Sequence, residues 1–142
     1  MNIEAFLLCD AATEFGGKLN VLGAFDTIFA KELPAIHPHC AIALRLRFDR
    51  IEQGQHKVRL NFIDADGKAV LPPLDATINI GMRQQEEASV CANLVLNIQG
   101  VKFEHAGIYS IDLAIDGRHE RSLPLFVKQM PRQELPAANP EQ

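Results

Sequence analysis

The sequence predicts an all-β domain, an antiparallel β-sandwich of about seven or eight strands with a disordered C-terminal tail. Three observations lead there. Apolar residues recur with period two along most of the chain, glycine, proline or aspartate closes each such run, and no heptad repeat, internal repeat or long amphipathic helix interrupts the series.

Ile3 to Cys9 and Leu19 to Phe29 are apolar runs split by EFGGK, where Gly16 and Gly17 supply the positive φ of a tight hairpin. Gly23, inside the second run, points to a bulge or a close backbone contact. KELPAIHPHC reads as a loop, because Pro34 and Pro38 each remove a ladder donor and hold the preceding residue extended. From Cys40 the alternation is clean, with Cys40, Ile42, Leu44, Leu46 and Phe48 on one face and Ala41, Ala43, Arg45 and Arg47 on the other. Val58, Leu60 and Phe62 form the next inward row, and DADG at 64 to 67 turns the chain into a hairpin.

Pro72 and Pro73 restrict the following segment to an edge strand or a crossing between sheets, after which Ile78, Ile80 and Met82 resume the alternation. MRQQEEA is a polar connector with room for a short helical turn. Val90, Ala92, Leu94, Leu96 and Ile98 mark another inward face, followed by Tyr109 to Ile115, a DGRH turn, and Leu123, Leu125 and Val127. The domain is therefore expected over residues 1 to 128. Residues 129 to 142, rich in proline with little to bury, form the expected disordered tail.

At 142 residues and 47% hydrophobic content, the chain can bury a core without disulfides. Its net charge of -4 opposes attraction to nucleic-acid phosphates or an anionic bilayer, so neither is expected as a partner. The N-terminus lacks a basic start and a long apolar centre, and no run approaches the roughly 20 apolar residues of a membrane span. Cys9, Cys40 and Cys91, widely spaced and odd in number, fit reduced thiols, and the expected location is the cytoplasm.

The stretch EHAGIYSIDL, residues 104 to 113, resembles the tyrosine corner of immunoglobulin-like sandwiches, where a tyrosine near the start of the second-last strand bonds back to loop backbone. The resemblance makes Tyr109 and Gly107 structural residues and the fold an immunoglobulin-like β-sandwich. Ile111 stands where an extracellular member often has cysteine, and the chain has no tryptophan, which departs from the antibody-type pattern. At whole-chain level FLLCDAATEFGGKLNVLGAFDTI is similar to a family of small bacterial proteins catalogued as a domain of unknown function, over about residues 1 to 128. That resemblance implies a fold and brings no catalytic residues. In such sandwiches the third and sixth strands pair, so 57 to 63 should lie beside 109 to 116, with Lys57 and Arg59 near Asp112 and Asp116. Each such pair contributes about 0.2 to 1 kcal/mol.

No catalytic residue or cofactor is expected. No GxSxG occurs, Ser89, Ser110 and Ser122 sit on or beside ordinary strands, and Cys91 has no basic neighbour in sequence to activate its thiol. Asp10, Glu14, Asp26 and Asp75 fall in turns or at strand ends. Arg45, Arg47 and Arg59 lack interleaved aromatic residues, so they read as a solvated sheet face. The one local cluster of metal-ligand type is His37-Pro38-His39-Cys40, and a small metal-binding protein or enzyme using His37 and His39 is the alternative reading.

Surplus apolarity carries the main functional expectation. Phe6 and Leu8 oppose Ala5 and Leu7, while Phe25 and Phe29 oppose Leu22, Ala24 and Ile28, so both faces of these strands need cover. The expected function is a non-catalytic protein-interaction or assembly module, pairing as a homo-oligomer or with a protein partner through Phe6, Leu8, Phe25 and Phe29.

Overall fold

The computed structural model describes residues 1–82 and 87–131. These form nine strands: β1 (Asn2–Phe15), β2 (Lys18–Ala24), β3 (Thr27–Ala30), β4 (Ala35–Asp49), β5 (Gly54–Ile63), β6 (Leu74–Ile80), β7 (Ser89–Phe103), β8 (Gly107–Ile115) and β9 (Arg118–Gln129). A 3-10 turn, Arg50–Glu52, joins β4 to β5. The strands make two sheets, ordered β2-β1-β4-β7 and β3-β9-β8-β5-β6, which pack as a sandwich.

The alternation of β4 fills the centre: Ile42, Leu44, Leu46 and Phe48 are fully buried, and they meet Leu60, Phe62, Ile111, Leu113 and Leu125 from the facing sheet. Such rows from two inner faces are what a sandwich core consists of. Gly16 and Gly17 make the β1–β2 turn at φ 59° and 75°, and Asp116 and Gly117 make the β8–β9 turn at 52° and 81°. The β5–β8 pair forms as its place in the series predicts, antiparallel from Val58 opposite Ile115 to Ile63 opposite Ser110.

Several local expectations give way. β3 runs parallel to β9, so the sandwich is antiparallel in every pair but this one. The expected loop over KELPAIHPHC ends at Pro34, and β4 begins at Ala35. Pro38 is tolerated there because this stretch lies beyond the last β1 pair, Cys9 opposite Ala41, and only β7 flanks it. The DADG turn forms, with Asp64 Oδ1 accepting from the amides of Asp66 and Lys68 at 2.9 Å, but it returns only a single bridge, Ile63 to Ala69. Regular pairing resumes at Leu74, past Pro72 and Pro73.

The charge pairing also differs. Arg59 bonds Asp75 on β6 at 2.7 Å, Asp112 lies opposite Asn61 and takes the hydroxyls of Ser110 and Ser122, and Asp116 binds the Lys57 amide and His56. β9 runs one residue past the expected boundary at Lys128, and the Met130 amide still bonds Ala30 O. The rest of the expected tail, 132–142, and part of the MRQQEEA connector, 83–86, lie outside the described residues.

β1 is the most irregular strand, and its irregularity has a purpose. Its pairing with β4 shifts between Ile3 and Ala5, a bulge that leaves Glu4 as the extra residue. Ile3, Phe6 and Leu8 thereby all turn to the main core, while Glu4 emerges on the outer face beside Arg45 and Arg47. Past Cys9, β1 pairs instead with β2, and this hairpin folds back across the outer face of its own sheet. Its tip reaches β4 and β7, where Gly17 O accepts from Asn93 Nδ2 at 3.1 Å and Arg45 Nη1 at 3.4 Å. Beneath it Cys9, Ala41 and Ala43 are fully buried in a second small core with Ala12, Leu19 and Val95.

Two glycine and tyrosine positions lock this arrangement. Asp10 faces Gly23 across the β1–β2 ladder, and a Cβ on Gly23 would stand 2.4 Å from Asp10 Oδ2, at a backbone φ of 69°. The expected close contact is what Gly23 serves, since the register is unbroken on either side. Tyr109 is buried, its Oη donates to His105 O at 2.6 Å, and its ring meets Phe103 edge-on at 5.0 Å. Gly107, at φ 147°, opens the strand that carries it.

Gly23→Ala is expected to destabilise the fold by about 1 to 3 kcal/mol, from strained backbone and a displaced Asp10, read from the urea midpoint. Tyr109→Phe keeps the ring packing and loses one hydrogen bond, so the same measurement should show a loss of about 0.5 to 1.5 kcal/mol.

Candidate functional site

The four residues expected at a contact do not act together. Phe6 and Leu8 are 5% and 4% exposed and belong to the main core, so they are not surface residues. The reason is the bulge at Glu4, which sets their parity inward. Phe25 is half-buried against the same core and the His37 ring, and only Phe29, 62% exposed, lies open. Apolar exposure falls elsewhere: Phe15 and Leu22 on the outward side of the hairpin, and Ile108 on the outer face of the β8 sheet.

The histidine pair is also split by its surroundings. His37 is half-buried with its ring 5.8 Å from that of Phe25, and its Nε2 is buried without a hydrogen-bond partner. His39 is exposed, and Cys40 is buried in the core, where burial pushes its thiol up to about 11. Among the described residues, no three His, Cys, Asp or Glu side chains lie together in a way that could hold a metal ion. Arg59 lies on the opposite sheet from Arg45 and Arg47, so the three do not form one basic stripe.

Two polar clusters organise the surface instead. Glu4 takes Arg45 Nε at 2.8 Å, Arg47 Nε, and the Cys91 thiol at 3.1 Å, while the guanidinium groups reach on to Asn93 and Ser89 at 3.0 Å. Hydrogen bonds from Arg47, Cys91 and Arg45 hold the Glu4 carboxyl down at about 2. Cys91 therefore does have basic neighbours, brought by the fold, yet burial and its bond to Glu4 push the thiol up from its ordinary value. A thiol donating to a carboxylate is held in its protonated, unreactive form.

The second cluster centres on His56, whose ring stacks on Phe48 with centroids 4.6 Å apart. Its Nδ1 lies 2.7 Å from Asp116 Oδ2 and its Nε2 faces Glu52 O, both acceptors, so the ring satisfies both only as the imidazolium. The Glu52 carbonyl and Asp116 raise its pKa accordingly. Glu52 in turn bonds the amino group of Met1 at 2.8 Å through both oxygens. These bonds brace β5, the 3-10 turn and the β8–β9 turn against one another.

The remaining feature is an edge. Among the described residues four strands end a sheet: β2, β7, β3 and β6. β3 has four residues, β2 seven with Lys18 at its start and Gly23 near its end, and β6 seven preceded by two prolines. Short length, lysine, proline and irregular backbone are the usual defences of an unpaired edge. β7 has fifteen residues and no proline; its left-handed Gly100, at φ 66°, and Lys102 fall near its end, which leaves an unbroken, uncharged run of alternating strand from Ser89 to Gln99. Its inward residues Val90, Ala92, Leu94 and Leu96 pack on the core yet stay only half-buried. Sequence patterning showed their inward face, but an uncharged run reads as a central strand, so the edge position of β7 emerges only from the sheet order.

The Glu4 cluster has a pH signature. A carboxyl depressed in the folded state stabilises above its unfolded value, near 4.5, and loses that contribution as pH falls through about 2. Glu4→Gln should lower the urea midpoint relative to wild type at neutral pH, with the gap narrowing across that window at fixed salt.

No helix among the described residues is long and apolar enough to cross a membrane. A search of curated proteins gives no match. Residues 4–128 match the model of a family of unknown function (DUF6941), and the chain, covered over most of its length, belongs to that family.

Proposed function

We propose that this chain is a non-catalytic assembly module, an immunoglobulin-like domain of the bacterial cytoplasm that works by self-association as a dimer. The observation that carries the reading is an unpaired sheet edge with incomplete apolar cover: β7 has no charged side chain from Ser89 to Val101, and its inward Val90, Ala92, Leu94 and Leu96 stay half-buried. A long edge without charge or proline beside apolar side chains that the domain does not fully cover favours pairing with another strand. The hydrogen bond from Tyr109 Oη to His105 O and the pairing of β5 with β8 and β8 with β9 support the immunoglobulin-like assignment. Three cysteines without a disulfide fit a reducing compartment.

Light scattering on the whole chain across a hundredfold concentration range tests the reading. A mass rising from 15.7 kDa toward twice that value supports it, and 15.7 kDa throughout overturns it. The whole chain is needed, because the Met130 amide contributes to the β3–β9 contact.

A further inference from the structure

We propose that the free edge of β7 is the dimer contact and that its occupant is β7 of a second copy, paired antiparallel so that two four-stranded sheets continue as one. The inference rests on the assembly reading and adds its site and geometry.

An unpaired edge presents a row of backbone donors and acceptors, and a strand is self-complementary to its own copy about a two-fold axis. Side chains decide whether that pairing is permitted. When a strand meets itself antiparallel, each residue on one side of the axis faces its counterpart from the other side, and like charges placed opposite one another oppose the pairing. A strand with no charge avoids this in every register. β7 meets the condition over the thirteen residues from Ser89 to Val101, within a chain of net charge -4. A partner of different chemistry would gain from charge complementarity, and this edge offers none.

The strand is also prepared for it. Its outward side chains are tied back into its own sheet: Ser89 to Arg47, Cys91 to Glu4, Asn93 to Arg45 and Gly17. The Ser89–Asn93 part of the edge is thus tethered before any partner arrives, which lowers the ordering cost of association. Its inward residues Leu94 and Leu96 are half-buried at the open side of the sandwich, and a second β7 with the same alternation would extend that apolar row.

Amide hydrogen exchange on the wild-type chain reads the contact directly. Between dilute and concentrated protein, β7 amides are expected to slow at least about tenfold while β2, β3 and β6 amides do not change. Leu94→Lys places a charge in the paired edge and should give a folded monomer by circular dichroism and light scattering; mixing it with Leu94→Glu should restore a dimer. Should Leu94→Lys fail to fold, the wild-type exchange pattern decides alone. A wild-type dimer whose β7 amides exchange as in the monomer, or a folded Leu94→Lys that still dimerises, overturns the β7 contact and leaves the assembly reading standing. A wild-type monomer at every concentration overturns both.

Discussion

β4 has no solvent face along its middle, and the rest of the molecule is arranged around that constraint. Ile42, Leu44 and Leu46 face the opposite sheet, and Ala41 and Ala43 face outward, all at 0% exposure. A strand buried on both sides needs a layer on each. On one side that layer is the second sheet. On the other it is the β1–β2 hairpin, which leaves the sheet after Cys9 and curls back until Gly17 reaches Asn93. The alanines are what permit this, since small side chains let the hairpin lie close. Gly23 has the matching role inside the hairpin, leaving room for Asp10 where a methyl group would collide with it.

The outer face of that sheet is divided between apolar cover and a polar network, and Glu4 sets the boundary. Ala41 and Ala43 lie under the hairpin, while Arg45 and Arg47, further along the same strand, are held by the one carboxylate that the β1 bulge turns outward. Two guanidinium groups on one carboxylate leave a net positive neighbourhood that could activate a thiol. Cys91 is present there, and its direct bond to Glu4 acts in the opposite direction. The cluster is therefore best understood as bracing across β1, β4 and β7.

Much of the architecture was legible in the residues because alternation reports burial directly. The inward rows of β4, β5, β7, β8 and β9 follow from period two, and Gly16-Gly17 and Asp116-Gly117 mark the β1–β2 and β8–β9 turns. What resisted reading was of two kinds. A bulge shifts parity without changing composition: the spacing Ile3, Phe6, Leu8 encodes it, but a strict alternation puts Ile3 on the wrong side and makes the strand look two-sided. Pairing partners are the other kind. Nothing local to Pro38 says that its strand is flanked on one side only, or that Thr27–Ala30 joins β9 in parallel, because these depend on residues some sixty to one hundred positions away. The surplus apolarity of the N-terminus was real, but much of it covers the chain itself.

That leaves the side of the sandwich where cover is incomplete. An open two-sheet fold has four edges, and each exposes polar backbone that could recruit another chain. Natural sequences can reduce that hazard cheaply, with a lysine or a proline whose effect on the folded monomer is small. β7 keeps a regular run from Ser89 to Gln99 with neither device, and its outward Ser89, Cys91 and Asn93 are used for rigidity and not for repulsion. A charge at the exposed Asn97 or Gln99 would have disturbed none of these contacts and would have opposed pairing at the edge. Its absence over thirteen residues, more than the exposure of any single leucine or phenylalanine, is the observation on which the proposed β7 contact rests.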